Sequence, residues 1–213
     1  MKIVVFTITG WPHGLLMDNP ASMAPPEKPG GIKAKVEQLS GREQADSKVY
    51  KDANGFLRFP AMAFRSALIA ASAGRKFGKI AAGRVIKGSV FPAEEWVQIL
   101  DAKSGKPRKE YDVVFSCRTV NRTTKGSNIT SRPNTKNWSC KLALEVDDEL
   151  VQDAPLLELL NMAGKTIGIG AYRPFCPVGV GGPYGRFTAV IDRAEEPGRA
   201  RSGTPPATAS RPR

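Results

Sequence analysis

The chain has 213 residues, 41% of them apolar and 24% charged, with a formal net charge of +12. That length and apolar fraction suit one soluble domain with a sizeable core, and the charge favours an acidic polymer as partner, nucleic acid being the commonest. Cys117, Cys140, Cys176 and the only histidine, His13, stand at no metal-ligand spacing, so neither a disulfide framework nor a metal centre is expected, and no cofactor motif is present.

The opening "MKIVVFTITGWP" is too short and too interrupted by threonine for a signal peptide or membrane span, so a reducing cytoplasm is the expected location. Residues 2–9 alternate as a half-buried strand should, and the Gly/Pro-rich stretch 10–31 reads as a long loop. "IKAKVEQLSG" predicts a short helix ended by Gly41, and "VYKDANGFLRF" a hairpin turning at Asn54-Gly55. Pro60 opens a helix through "AMAFRSALIAASAGRKFG", with Met62, Leu68 and Ile69 toward a core and Arg65 and Arg75 away from it.

Strands are expected at "RVIKGSVF", "EWVQILDA", residues 111–120 and "WSCKLALEV". "DAPLLELLNMAGK" carries helix marks: Asp153 as a cap, Pro155 in the first turn and Gly164 as the stop. "YGRFTAVID" closes the domain as a strand. The Pro/Ala/Ser/Arg-rich tail 193–213 lacks the apolar surface to fold alone and is expected to be a disordered basic tail. The order predicts an α+β fold, a ferredoxin-like or RRM-like antiparallel sheet spanning 1–192, with an inserted loop at 10–50 and a basic excursion at 103–138.

Charge is segregated. Between Ala53 and Ala93 there is no acid, while Arg58, Arg65, Arg75, Lys76, Lys79, Arg84 and Lys87 are present; Glu145, Asp147, Asp148, Glu149, Asp153 and Glu158 cluster around the last helix. The run from Arg118 to Trp138 is donor-rich and free of acids, so it can track several phosphates or stand as a solvated hairpin. Trp138 either stacks on a base or packs into the core. In "GIGAYRPFCPVGVGGPYGRF", residues 168–187, glycines free of Cβ atoms can bring backbone amides to phosphate oxygens, with Arg173 and Arg186 adding charge. The run fits neither a P-loop, since position 159 is Leu, nor a dinucleotide fingerprint, since Arg173 stands at the third glycine position.

Two separated segments resemble one family. "FPAMAFRSAL", with Pro60, Phe64, Arg65, Ser66 and Leu68, is similar to the strand-to-helix segment of RAMP proteins (repeat-associated mysterious proteins, RNA-binding proteins of CRISPR systems). It departs from their pattern at Ala61, Met62, Ala63 and Ser66. "GIGAYRPFCPVGVGGPYGRFTAV" resembles their C-terminal glycine-rich loop and last strand, through Gly168, Gly170, Arg173, Gly185, Arg186 and Phe187.

The resemblance implies an RRM-like subunit that assembles along a guide RNA with copies of itself and other subunits of an antiviral ribonucleoprotein, with Arg118–Trp138 as a thumb-like hairpin. The expected phosphate contacts are Arg65, Lys76, Arg118, Arg122, Lys125, Arg132, Arg173 and Arg186, beside Gly168, Gly170 and Gly185. Asp18 occupies the loop where some RNA-cleaving relatives carry an aspartate, and guide-processing endonucleases of the superfamily often use a histidine, for which His13 is the candidate. A non-catalytic subunit is the leading expectation; an RNA endonuclease and a phage-type single-stranded DNA-binding protein are the alternatives.

Overall fold

The structure is a computed structural model that describes residues 1–20, 39–120, 127–176 and 181–192. In strand β1 (Lys2–Gly10), Val4, Phe6 and Ile8 are fully buried while Ile3 and Thr9 face outward, the alternation a one-sided sheet requires. After the short β2 (Leu15–Leu16) comes helix α1 (Gly41–Ser47), which corrects the expected helix end. Gly41 is its first residue. Ser40 accepts from the Glu43 amide and Glu43 accepts from the Ser40 amide, a capping box that the sequence "SGRE" encodes. The earlier part of the expected helix, residues 32–38, lies outside the described residues.

The Asn54-Gly55 turn forms as expected, closed by a bridge between Lys51 and Leu57, and leads into β3 (Arg58–Pro60). Helix α2 (Ala61–Ala71) buries Phe64, Ala67, Leu68 and Ala71, whereas Met62 is exposed rather than core-facing. It stops seven residues before Gly78, because Gly74 turns the chain at φ +74° into a small hairpin of β4 (Lys76–Phe77) and β5 (Ile80–Ala81). The stretch expected as one strand is mostly helix α3 (Ala82–Ser89), followed by β6 (Val90–Pro92). Ala82, Val85, Ile86 and Ser89 are buried at helical spacing, a pattern the adjacent Val85 and Ile86 disguise as a strand.

Strands β7 (Trp96–Gln98) and β8 (Leu100–Asp101) precede a long hairpin of β9 (Val113–Val120) and β10 (Ser127–Thr135). The polar excursion is therefore largely paired strand, with Phe115 opposite Arg132 and Arg118 opposite Ile129. β11 (Trp138–Val146) alternates as expected. Helix α4 (Asp153–Met162) is capped at Gln152, so Asp153 is its first helical residue and pairs instead with Lys2 at 2.8 Å. Gly164 does not stop it: a π-turn (Ala163–Ile167) carries the chain on to Gly168, and Gly164 is where the Phe187 backbone approaches too closely for a side chain. β12 (Phe187–Ile191) closes the sheet.

The main sheet runs β12-β1-β11-β6, antiparallel throughout, with β8 also on β11; β9, β10 and β2 form a second antiparallel sheet. The fold is α+β. Along the chain the main sheet and its helices follow β1-α2-β6-β11-α4-β12, and α2 and α4 cover one face, where Phe64 meets Phe187 edge to face at 5.4 Å. β12 is an outer strand. The Asn161 side chain of α4 lies along it, accepting from the Ala189 amide at 2.8 Å and donating to the Ala189 carbonyl at 3.0 Å. Among the described residues no helix is long and apolar enough to cross a membrane.

α1 lies on the β9–β10 hairpin, where Gln44 accepts from the Ser131 amide and Lys48, 7% exposed, donates to the Ser131 carbonyl at 3.0 Å. Burial, then the charge of Arg132, holds the Lys48 amine below its ordinary 10.5, while Asp18 and Cys117 pull it back. The folded chain thus binds that proton less tightly than the unfolded chain. The charged amine lowers stability at neutral pH, and the loss is relieved as pH rises toward 10.5. Lys48→Met is expected to be no less stable than wild type at pH 7, with any advantage shrinking as pH rises; denaturant titrations of both proteins across that range measure it.

Candidate nucleic-acid interface

The glycine-rich loop between the π-turn and β12 is built by backbone geometry. Gly168, Gly170 and Gly185 have φ of +69°, +77° and +67°, a region closed to most residues with a Cβ. A Cβ on Gly170 would press on the Leu16 carbonyl, and one on Gly185 would overlap the Ile169 carbonyl. Amides are committed too. Gly168 donates to Ala163, Ile169 to Gly185, Ala171 to Leu16, and Gly185 to Gly14, all within 3.0 Å. The expectation that Gly168 and Gly185 hold bare amides out for phosphates is therefore corrected: they let the loop lock onto the segment that follows β1.

Side chains provide the outward chemistry. Arg186 donates from Nε to the Lys165 carbonyl at 2.9 Å, which holds its guanidinium over the Trp11 ring, 4.6 Å from the centroid. Arg173 folds onto its own loop, Nη1 donating to the Gly170 carbonyl at 3.0 Å. Each guanidinium has five N–H donors, so one fixed bond aims the group without exhausting it.

Tyr172, at φ +50°, carries local strain, and its ring meets Phe115 edge to face and lies under Arg132 at 5.2 Å. Its hydroxyl lies 2.8 Å from the Cys117 sulfur; burial, then that contact, raises the phenol above its ordinary range. Tyr184 packs on Phe115 at 5.1 Å and on His13 at 6.3 Å.

The two candidate catalytic residues sit in this cluster. Asp18 Oδ2 accepts from both Nε and Nη2 of Arg132, at 3.0 and 2.9 Å, so one carboxylate oxygen is engaged and the Arg132 guanidinium is held by Asp18 rather than presented to a phosphate. His13 is exposed, its carbonyl accepting from Asn134 Nδ2. Among the described residues no three His, Cys, Asp or Glu side chains group to hold a metal ion.

The remaining expected contacts divide. Alternation along β9 turns Phe115 and Cys117 toward the loop, and Ser116 and Arg118 to the opposite face, where Ser116 meets Ser131 beneath α1. Arg118 is thus on the other side of the hairpin from Arg132. Arg65 does not join the loop either: Nε and Nη2 donate to the Val90 and Lys87 carbonyls, both at 2.8 Å, tying α2 to the end of α3. Lys76 lies on the β4–β5 hairpin near the start of α4, at the end of the sheet where Lys2 meets Val146, opposite the end where Gly10 meets Phe187. Arg122 and Lys125 lie outside the described residues. Trp138 is fully buried with its indole against Gly10, so it is core and not a base platform.

Sequence reasoning missed the aromatic members, Trp11, Phe115, Tyr172 and Tyr184. Tyr172 and Tyr184 stood inside the glycine run, and Trp11 directly after the first strand, but only the fold brings them beside Arg132 and Arg186. No family model and no curated protein matches the chain.

Proposed function

We propose that the chain is a single-stranded RNA-binding subunit of RAMP type, with a ferredoxin-like, RRM-like core, that assembles with copies of itself and other subunits along the strand. The observation that carries this reading is the convergence, at one end of the main sheet, of the glycine-rich loop with Trp11, Tyr172, Tyr184 and two arginines, Arg173 and Arg186, while Arg132 stays paired with Asp18. Aromatic faces take unstacked bases with little regard to sequence, and guanidinium groups follow the backbone. The β-α-β-β-α-β order and the strand order β12-β1-β11-β6 support the ferredoxin-like assignment.

The test is fluorescence anisotropy with a labelled single-stranded RNA, the matching DNA and an RNA duplex across a salt series. Expected are tighter binding to single-stranded RNA than to either competitor, and a log–log salt slope of about −1.4 for the two phosphate contacts of Arg173 and Arg186. Equal affinity for the DNA would favour the single-stranded DNA-binding alternative; no binding at low salt removes the reading. The endonuclease alternative keeps His13 and Asp18 at the same end, and intact RNA after incubation with and without divalent metal would dispose of it.

A further inference from the structure

A second group of cations lies at the other end of the molecule. Lys76, Lys79, Arg84 and Lys87 are all exposed, and none has an ion-pair partner among the described residues. The antiparallel pairing of Lys76 with Ala81 and of Phe77 with Ile80 leaves Lys79 in the turn, and α3 follows directly, so the hairpin and helix form one unit. Arg84 and Lys87 are three apart on α3 and share a face. Two clefts flank the hairpin, of about 380 and 320 Å³. Arg75 and Lys76 line both, and Lys87 joins them in the smaller one. Among the described residues Glu158 is the single acid lining either cleft, and it is paired with Arg75 at 3.2 Å. A polyanion would meet these cations with little competition from carboxylates.

We propose that this hairpin–helix unit is a second phosphate-backbone surface, separate from the glycine-rich loop, and that it engages a stretch of nucleic acid distant along the strand from the stretch at the loop. Charge complementarity selects a polyanion, and the two clefts give its phosphates recessed seats. The separation follows from the sheet: β1 has nine residues, so its ends are about 30 Å apart at roughly 3.3 Å per residue. At about 3.4 Å between stacked phosphates, roughly nine nucleotides are needed to reach from one surface to the other. A strand of about four nucleotides therefore reaches only one surface, whereas one of about twenty can occupy both and gain from the linkage.

The experiment compares wild type with the triple variant Lys76→Glu, Lys79→Glu, Arg84→Glu on labelled oligouridine of about four and about twenty nucleotides, over a salt series. All three positions are exposed, and Glu near the start of α3 suits the helix, so the fold should persist; circular dichroism checks it. Expected is at least tenfold weaker binding of the long strand, a salt slope shallower by about 2, and a much smaller loss for the short one, which the loop still holds. Unchanged affinity and slope for the long strand overturn the proposal, as does polyglutamate of equal charge binding the wild-type surface as tightly as the RNA. A wild type that binds the long strand but not the short one, with the triple variant losing the long strand, would retain this surface and reject the loop reading instead.

Discussion

Gly185→Ala is expected to be the most damaging single substitution in the loop, lowering stability by about 3 to 5 kcal/mol and the thermal midpoint by roughly 10 °C. Two costs add. The residue sits at φ +67°, where a Cβ is strained, and the new methyl would overlap the Ile169 carbonyl oxygen, a backbone atom that no rotamer change can move. Relieving the overlap would pull apart the Ile169–Gly185 and Gly185–Gly14 hydrogen bonds, which join the loop to itself and to the segment after β1. Gly181→Ala and Gly55→Ala serve as comparisons: a Cβ on Gly181 would also meet backbone, at Pro174, whereas Gly55 has a positive φ with open space around it. The expected order of damage is Gly185, then Gly181, then Gly55, read by thermal melts of the three variants. A Gly185→Ala protein melting within about 2 °C of wild type would mean the loop is not held as described.

Arg173→Glu with Arg186→Glu is expected to weaken single-stranded RNA binding about a hundredfold at near-physiological salt. Losing two charge-assisted contacts is worth about 3 kcal/mol, and the introduced carboxylates repel the backbone as well. Arg186 matters twice, since its guanidinium also rests on Trp11. Trp11→Ala separates the two parts: it removes the stacking face while leaving the charge, and should cost about 1 to 3 kcal/mol per stacked base with an unchanged salt slope. Anisotropy across a salt series distinguishes them, and melts establish that each variant is folded. Wild-type affinity in the double charge reversal would dissociate the loop from RNA binding altogether.

Three strands of the main sheet, β1, β11 and β12, were legible because they obey a period of two: β1 and β11 each bury every second residue, and the last strand follows the glycine run where its Phe-Thr-Ala-Val-Ile pattern resumes. α3 was not, because two neighbouring apolar residues, Val85 and Ile86, satisfy a short strand as well as a helical stripe, and only contact with α2 and β6 decides between them. Gly41 resembles a helix stop in the sequence, but the capping box of Ser40 and Glu43 makes it the first residue of a helix. In the site, the charge was visible and its grouping was not. Alternation along β9 sends Arg118 away from Arg132, and the backbone carbonyls at Lys87 and Val90 claim Arg65, facts of three-dimensional pairing that a count of basic residues cannot carry. The shared need of the glycines is for left-handed backbone and close approach, and the side-chain chemistry around them is that of the tyrosines, Trp11 and the arginines.

Asn161 bears on how copies of this chain can meet. By answering both polar groups of Ala189, one amide side chain stands in there for the neighbour that an outer strand would otherwise recruit, which blunts that margin against pairing with another strand. If copies of the chain line up as proposed, a sheet shared between them would have to start elsewhere, as at β6, the other margin of the main sheet.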